Sequence, residues 1–433
     1  MKYVSTRGGN SVTLEEAIMA GTAPDGGLYM PAKIPAIDLS SVPVDAPLNE
    51  VARAVAAPYF AGSDLLEDLN AICDQAFNFP APLHIISDGA ESLSVLELFH
   101  GPTAAFKDFG ARFLAATMSH IIQRRGEQNS PATIVVATSG DTGGAVAAAF
   151  HRQPGTRVVV LFPEGRVSPR QQHQLTCWGD NIISLAVRGE FDDCQHLAKE
   201  LFANTAASSE FNLCSANSIN VGRLLPQSVY YAKSSLDEQA ANNRLTNYIV
   251  PTGNLGNAFA CAWAKQMGFP VGELILATNA NRTIPDYLES GEWQPRNSIS
   301  TLANAMDVGN PSNMERLRSL WGEADQLRNR IRSFSVSDDE IRARIVAEFQ
   351  QQGIAWCPHT ATGFEVYRNL PAADRKNVHW VIAATAHAAK FDETVEPLIG
   401  TPIPVPPELA RLLDWPAEFD TIDANTEEII SRL

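Results

Sequence analysis

The feature that most constrains this chain is a rhythm that begins at Leu93. Short apolar runs alternate with longer amphipathic ones. "LSVLELF" is followed by a helical pattern from about Lys107 to Arg125. "TIVVATSG" leads into "GGAVAAAFHRQ", and "RVVVLFP" leads into a segment that restarts at Ser168-Pro169. "NIISLAV" precedes "FDDCQHLAKELF", and "NYIVPTG" precedes "NAFACAWAKQMG". "ELILATN" and "HWVIAATA" are two further strand candidates. Repeated strand–turn–helix units predict an α/β chain with parallel strands, helical crossovers and cover on both sheet faces.

The flanks are less regular. Residues 1–90 carry helical patterns at Leu14–Ala20, Leu48–Phe60 and Asp64–Phe77, broken by proline-rich stretches. "PAPLHIISDGAES" reads as an exit loop. Residues 291–314 are loop-like, and "TPIPVPPEL" reads as chain running over a surface. Ser337 and Glu340 stand at capping-box spacing, which predicts a helix start.

Composition narrows the function. Hydrophobic residues make up 45% of 433, enough for a large core. A net charge of −16 opposes sequence-independent binding to nucleic acid or anionic lipid. It leaves room for an anionic small substrate, because a few local donors can dominate one pocket. The six cysteines include no C-x-x-C pair, and the nine histidines show no ligand spacing. Reduced thiols in a cytoplasm are expected, with no metal site. No apolar run approaches the length of a membrane-spanning helix.

Three segments carry candidate chemistry. In "LFHGPTAAFKDF", Lys107 sits between two phenylalanines at a helix start. It either snorkels past apolar surface or serves as a reactive amine. In "PTGNLGN", a strand ends and Gly253, Asn254, Leu255, Gly256 and Asn257 precede a helix. Such a turn suits a phosphate, with Asn side chains as extra donors, and also suits a plain strand-to-helix connection. It departs from the dinucleotide pattern G-x-G-x-x-G, and the Walker pattern is absent. In "ATSGDTGGAV", Ser139, Gly140, Asp141 and Thr142 offer amides and hydroxyls to a carboxylate, with the helix expected from Gly143. Asp141 as an N-cap is the competing reading. In "NSINVGR", Ser218, Asn220 and Arg223 either converge on an anion or form a helix cap beside a surface arginine. A lysine, a phosphate cup and a carboxylate cup at the carboxyl ends of strands on one sheet point together to pyridoxal 5′-phosphate.

The chain resembles the threonine synthase family, in its longer bacterial and fungal form, among fold-type II pyridoxal phosphate enzymes. The similar segments run in order from "APDGGLYMP" to "TAHAAKF" and include "LELFHGPTAAFKDFGARF", "ATSGDTGGAV", "SANSIN", "PTGNLGN" and "TLANAMDV". The resemblance implies two parallel-sheet, three-layer domains. The expected division is an N-terminal accessory region at 1–90, a large cofactor domain at 91–110 and 225–400, a smaller domain at 111–224, and a surface tail at 401–433.

It further implies that Lys107 holds the cofactor aldehyde and that residues 253–257 cradle its phosphate. Thr385 falls where the family places a hydroxyl at the pyridine nitrogen. The turn Ser139–Thr142 falls where the family grips the substrate carboxylate. Many relatives carry Asn at the place of Asp141 and use it near the cofactor's 3′-oxygen. Ala388 stands where relatives often have Pro. The implied reaction converts O-phospho-L-homoserine and water to L-threonine and phosphate. Ser218, Asn220 and Arg223 are then assigned to the departing phosphate, with Thr103 and Asp108 behind them. The alternatives are a phospho-lyase releasing 2-oxobutyrate and, from another class, a nucleotide-binding dehydrogenase. The oligomeric state, monomer or homodimer, is left open.

Overall fold

The computed structural model describes residues 1–43, 45–126 and 131–433. Of three sheets among these residues, the small antiparallel one lies in the N-terminal region and two organise the rest. The larger has six strands in the order Ile331–Ser335, Val271–Thr278, Thr246–Pro251, His379–Ala384, Ser92–Glu97 and Leu83–Ser87. Its first five strands are parallel, and the last pairs antiparallel at the edge. The smaller has five parallel strands in the order Asp420–Ile422, Ile182–Val187, Thr156–Pro163, Ala132–Ala137 and Leu213–Ser215.

Each sheet is covered on both faces, as its apolar strands require. One face of the larger sheet packs Ile249, Ile275 and Ile382 against Ala361 and Phe364. One face of the smaller sheet packs Val135, Val159 and Leu185 against Leu197 and Leu201. The opposite faces share a single apolar core with the N-terminal helices and the helix Lys107–Arg125. The expected boundary at 110/111 therefore falls inside one continuous helix.

The N-terminal region is docked by specific contacts. Trp263, in the helix Gly256–Gln266, donates through its indole N–H to the Tyr59 hydroxyl at 2.7 Å. Their rings meet edge to face at 5.5 Å. Tyr59 lies on the helix Leu48–Phe60, so that helix props the element following "PTGNLGN". Local capping agrees with the sequence. Ser337 and Glu340 form a capping box, and Ser168 caps the helix that Pro169 opens.

Four expectations need correction. "PAPLHIISDGAES" is not all loop, because Leu83–Ser87 forms the antiparallel edge strand. Its half-exposed pattern and flanking prolines suit an edge and hide the strand signal. Asp64–Phe77 is not one helix: a short turn at Asp64–Leu66, capped by Ser63, precedes the helix Leu69–Ala76. The tail does more than run over a surface. Asp420–Ile422 adds an edge strand to the smaller sheet, and Ile422 and Ile429 are buried in its core. The helix after "ATSG" begins at Asp141 rather than Gly143. Among the described residues, no helix is long and apolar enough to cross a membrane.

Candidate active site

The lysine is presented by a tied loop. After strand Ser92–Glu97 the chain runs back beside the end of strand His379–Ala384. Leu98 N–H donates to Ala384 O at 3.0 Å, Phe106 N–H to Thr385 O at 2.8 Å, and His387 N–H to Ala104 O at 3.0 Å. Lys107 then opens its helix. Asp108 latches the loop by accepting from Thr103 N–H at 2.8 Å and Thr103 Oγ1 at 2.7 Å. Burial pushes the Asp108 carboxyl up, and the two Thr103 bonds oppose that. Asp108 and Thr103 thus satisfy each other. The Thr385 hydroxyl has no partner among the described residues.

Charge sets the chemistry of this corner. Desolvation lowers the Lys107 pKa to about 8; Asp141 opposes the shift, while Lys390 and Arg223 add to it. Asp141 is 5% exposed. Burial alone would raise its carboxyl, but Lys390, Lys107 and His359 outweigh that and hold it far below the usual range. Gly140 precedes it with φ 141°, a conformation that favours glycine. The N-cap reading of Asp141 is replaced, since Gly140 occupies the cap and Asp141 is the first helical residue. Thr138 closes the turn by accepting from Gly140 N–H at 3.0 Å and Gly143 N–H at 2.9 Å. Ser139 and Thr142 remain partly exposed, and neither hydroxyl has a partner among the described residues.

The turn at 253–257 has the character of an anion seat. Leu255 adopts φ 63° as the cap of helix Gly256–Gln266. Among the described residues, no acceptor takes the backbone N–H groups of Gly253, Asn254, Leu255, Gly256 and Asn257. Consecutive free amides at a helix start favour a phosphate. Gly253 lets another backbone approach: a Cβ there would lie 2.7 Å from Met306 Cα. The Asn side chains act differently from expectation. Asn254 donates to Ser218 Oγ at 2.7 Å and accepts from Ser312 N–H at 2.6 Å. Asn257 accepts from Tyr230 OH at 2.5 Å and Tyr231 OH at 2.8 Å, while its buried Nδ2 has no partner among the described residues.

The segment 218–223 abuts this seat through Ser218. Asn220 does not face a ligand. Its Nδ2 donates to Ile18 O at 2.8 Å and Ser215 O at 2.9 Å, and its Oδ1 accepts from Gly222 N–H. All its polar capacity goes to capping and tying the N-terminal helix down, so its assignment to the phosphate is withdrawn. Arg223 is not a surface residue, being 2% exposed. It donates to Ala216 O at 2.6 Å, its Nε has no partner among the described residues, and burial lowers its pKa to about 10.

Several residues at the site escaped the sequence. Lys390 pairs with Asp141 at 2.8 Å, and Gln171 donates to the same oxygen at 3.0 Å. His359 is buried beside Phe391 and accepts from Ala305 N–H at 3.1 Å. Arg316, completely buried, donates to Tyr29 O, Ile219 O and Asn313 Oδ1. A lysine inside the apolar run "TAHAAKF" was the only sequence signal among these. Among the described residues no cluster suits a metal ion.

The residues fit pyridoxal phosphate: a desolvated lysine, a run of free amides, a buried unpartnered amide and a free hydroxyl at Thr385. The fold and site define a pyridoxal-phosphate-dependent enzyme of fold type II. Residues 82–383 match the family described as "Pyridoxal-phosphate dependent enzyme". Residues 2–77 match "Threonine synthase N terminus", and residues 360–432 match "Threonine synthase, C-terminal". A threonine synthase of Haemophilus influenzae is 37% identical over 98% of this chain and 96% of its own. The crystal structure of threonine synthase from Escherichia coli is 34% identical, covers both chains fully and gives a TM-score of 0.90. PLP-bound threonine synthase from Brucella melitensis is 35% identical, covers 100% of this chain and 98% of its own, with a TM-score of 0.90. The chain belongs to the threonine synthase family. That membership displaces the nucleotide-binding dehydrogenase alternative.

Proposed function

We propose that the enzyme removes phosphate from O-phospho-L-homoserine and adds water to give L-threonine. The observation that carries this reading is a pair of adjoining anion seats beside one lysine. The free amides of 253–257 form the first. We assign the second to Ser218, bonded to Asn254, and to the buried Arg223, whose charge acts on Lys107.

Bound pyridoxal phosphate supplies the electron sink that makes the substrate's α- and β-protons removable. Lys107 moves the protons. With its pKa near 8, a useful share of its amine is in base form around neutral pH. Its Nζ takes the α-proton and then a β-proton as the bond from the γ-carbon to the phosphate oxygen breaks and phosphate leaves. One proton returns at the γ-carbon, water gives its OH to the β-carbon as the threonine hydroxyl while its other proton goes to the released phosphate, and the α-carbon regains a proton from Nζ. With the cofactor bound, the amides of 253–257 would hold its phosphate, Thr385 would offer its hydroxyl to the ring nitrogen, and Asp141 would offer the cofactor a carboxylate oxygen. Ser139, Gly140 and Thr142 hold the substrate carboxylate. Arg223 stabilises the leaving phosphate as a desolvated cation. Six buried cysteines without a disulfide suit a cytoplasmic setting.

The test is a product assay on the cofactor-loaded enzyme with O-phospho-L-homoserine. Equal amounts of phosphate and threonine are expected. Phosphate with 2-oxobutyrate instead would select the phospho-lyase. Arg223→Ala is expected to weaken phosphohomoserine at least about tenfold while leaving homoserine binding within about twofold. Equal losses for both ligands would remove Arg223 from the phosphate seat.

A further inference from the structure

We propose that Lys390 is a positioning residue of this active site: it anchors one oxygen of Asp141, leaves the other open to the site, and sets the charge balance around Lys107. The inference rests on the reading of Lys107 as the cofactor's lysine.

Lys390 lies in the turn Ala388–Phe391, shortly after strand His379–Ala384 and Thr385. It is completely buried. A buried ammonium costs several kcal/mol unless paired and hydrogen-bonded. Its Nζ has two partners. One is Thr103 O at 2.7 Å, within the loop that presents Lys107. The other is Asp141 Oδ1 at 2.8 Å, at the first turn of the helix on the smaller-sheet side. One amine therefore ties together the ends of three strands from two sheets.

The geometry at Asp141 is asymmetric. Oδ1 takes both Lys390 and Gln171. Oδ2 has no partner among the described residues. Here one oxygen is held and the other is left for a donor in the site. The pair also matters for charge. Alone, Asp141 would draw a proton onto Lys107; alone, Lys390 would drive it off. The two act on Lys107 in opposite directions, so each limits the shift the other imposes on its amine. The other charged or titratable groups around these three are Arg223, Asp108, His359, His387 and the Cys357 thiol.

The test follows capture of pyridoxal phosphate by the cofactor-free protein, read as the rise of bound-cofactor absorbance, against pH. Capture requires the neutral amine, so the midpoint reports Lys107. In Lys390→Met the midpoint is expected to rise by about one unit, because Asp141 is left uncompensated. In Asp141→Asn it is expected to fall by a similar amount. The double variant Lys390→Met/Asp141→Asn is expected to return to within about half that shift of the starting protein. An unchanged midpoint in either single variant, or a double variant displaced as far as Lys390→Met, overturns the proposal. If Lys390→Met does not fold, Asp141→Asn and the double variant decide by the same criteria. Capture by a Lys107→Ala control would defeat the assignment of Lys107, and this inference with it.

Discussion

The Asn254 side chain donates to Ser218 Oγ at 2.7 Å, and that bond joins the phosphate turn to the segment that carries Arg223. Asn313 donates to the Asn254 carbonyl at 2.9 Å and reinforces the joint. The two anion seats are therefore mechanically coupled. Asn254→Ala and Ser218→Ala should each weaken pyridoxal phosphate binding, and the double variant should lose less than the sum. A coupling of about 1 kcal/mol is expected for one partly buried hydrogen bond. Titration of the four cofactor-free proteins with pyridoxal phosphate measures it. Strict additivity would mean the seats act independently.

Gly253 provides a second, steric prediction. A Cβ at this position would meet Met306 Cα at 2.7 Å and Met306 O at 2.8 Å. These are backbone atoms, so no side-chain rotation relieves the overlap. Gly253→Ala should cost about 1–3 kcal/mol of stability by overpacking and also weaken the cofactor, since the free amides must shift. Thermal melting and cofactor titration check the two effects. A variant that melts and binds like the parent would show that the turn has slack.

Much of this architecture was readable because it is repetitive and local. The alternation beginning at Leu93 reports buried strands and their crossovers. The bounds Leu14–Ala20, Leu48–Phe60 and Lys107–Arg125 coincide with observed helices: the first carries a capping box at Thr13, and the last stops at Gly126 in the left-handed conformation, both local signals. What stayed hidden depends on distant pairing. Asp420–Ile422 is three residues long and acquires its strand identity only against Ile182–Val187. Lys390 and Asp141 read separately as a stray lysine and a helix cap; only the fold makes them a buried pair. Arg223 reads as an anion ligand or as a surface arginine until Ala216 and the helix from Lys107 enclose it.

Asn220 tests that limit directly. Its side chain ties Ile18 O, Ser215 O and Gly222 N–H together, which makes it a brace between the N-terminal helix and the segment 215–222. Asn220→Ala leaves two buried carbonyls and one amide short of a partner. It should lower stability by about 1–3 kcal/mol, while the folded fraction keeps a KM within about twofold. A large rise in KM at unchanged melting temperature would return Asn220 to the substrate.

Acid sensitivity should track His359. Its Nε2 accepts from Ala305 N–H at 3.1 Å, so the ring proton sits on Nδ1, which is buried and unpartnered. Protonating Nε2 would break the Ala305 bond and add a cation beside Lys107 and Lys390. Burial, with those two lysines and against the pull of Asp141, pushes the pKa down to about 4. His387 is lowered to about 4 as well, chiefly by burial. Unfolded histidine takes its proton near 6.5, so between about 6.5 and 4 the unfolded chain binds more protons than the folded one. Stability supplied by neutral His359 is therefore complete above about 6.5 and lost as pH falls to about 4. The loss amounts to at most about 3 kcal/mol. His359→Gln keeps an acceptor for Ala305 N–H but cannot titrate. Urea unfolding of the cofactor-free protein at pH 7 and pH 4.5 should show a smaller acid loss in the variant than in the parent, by about 1–3 kcal/mol. Equal losses in the two proteins would assign the acid sensitivity to other groups, His387 first among them.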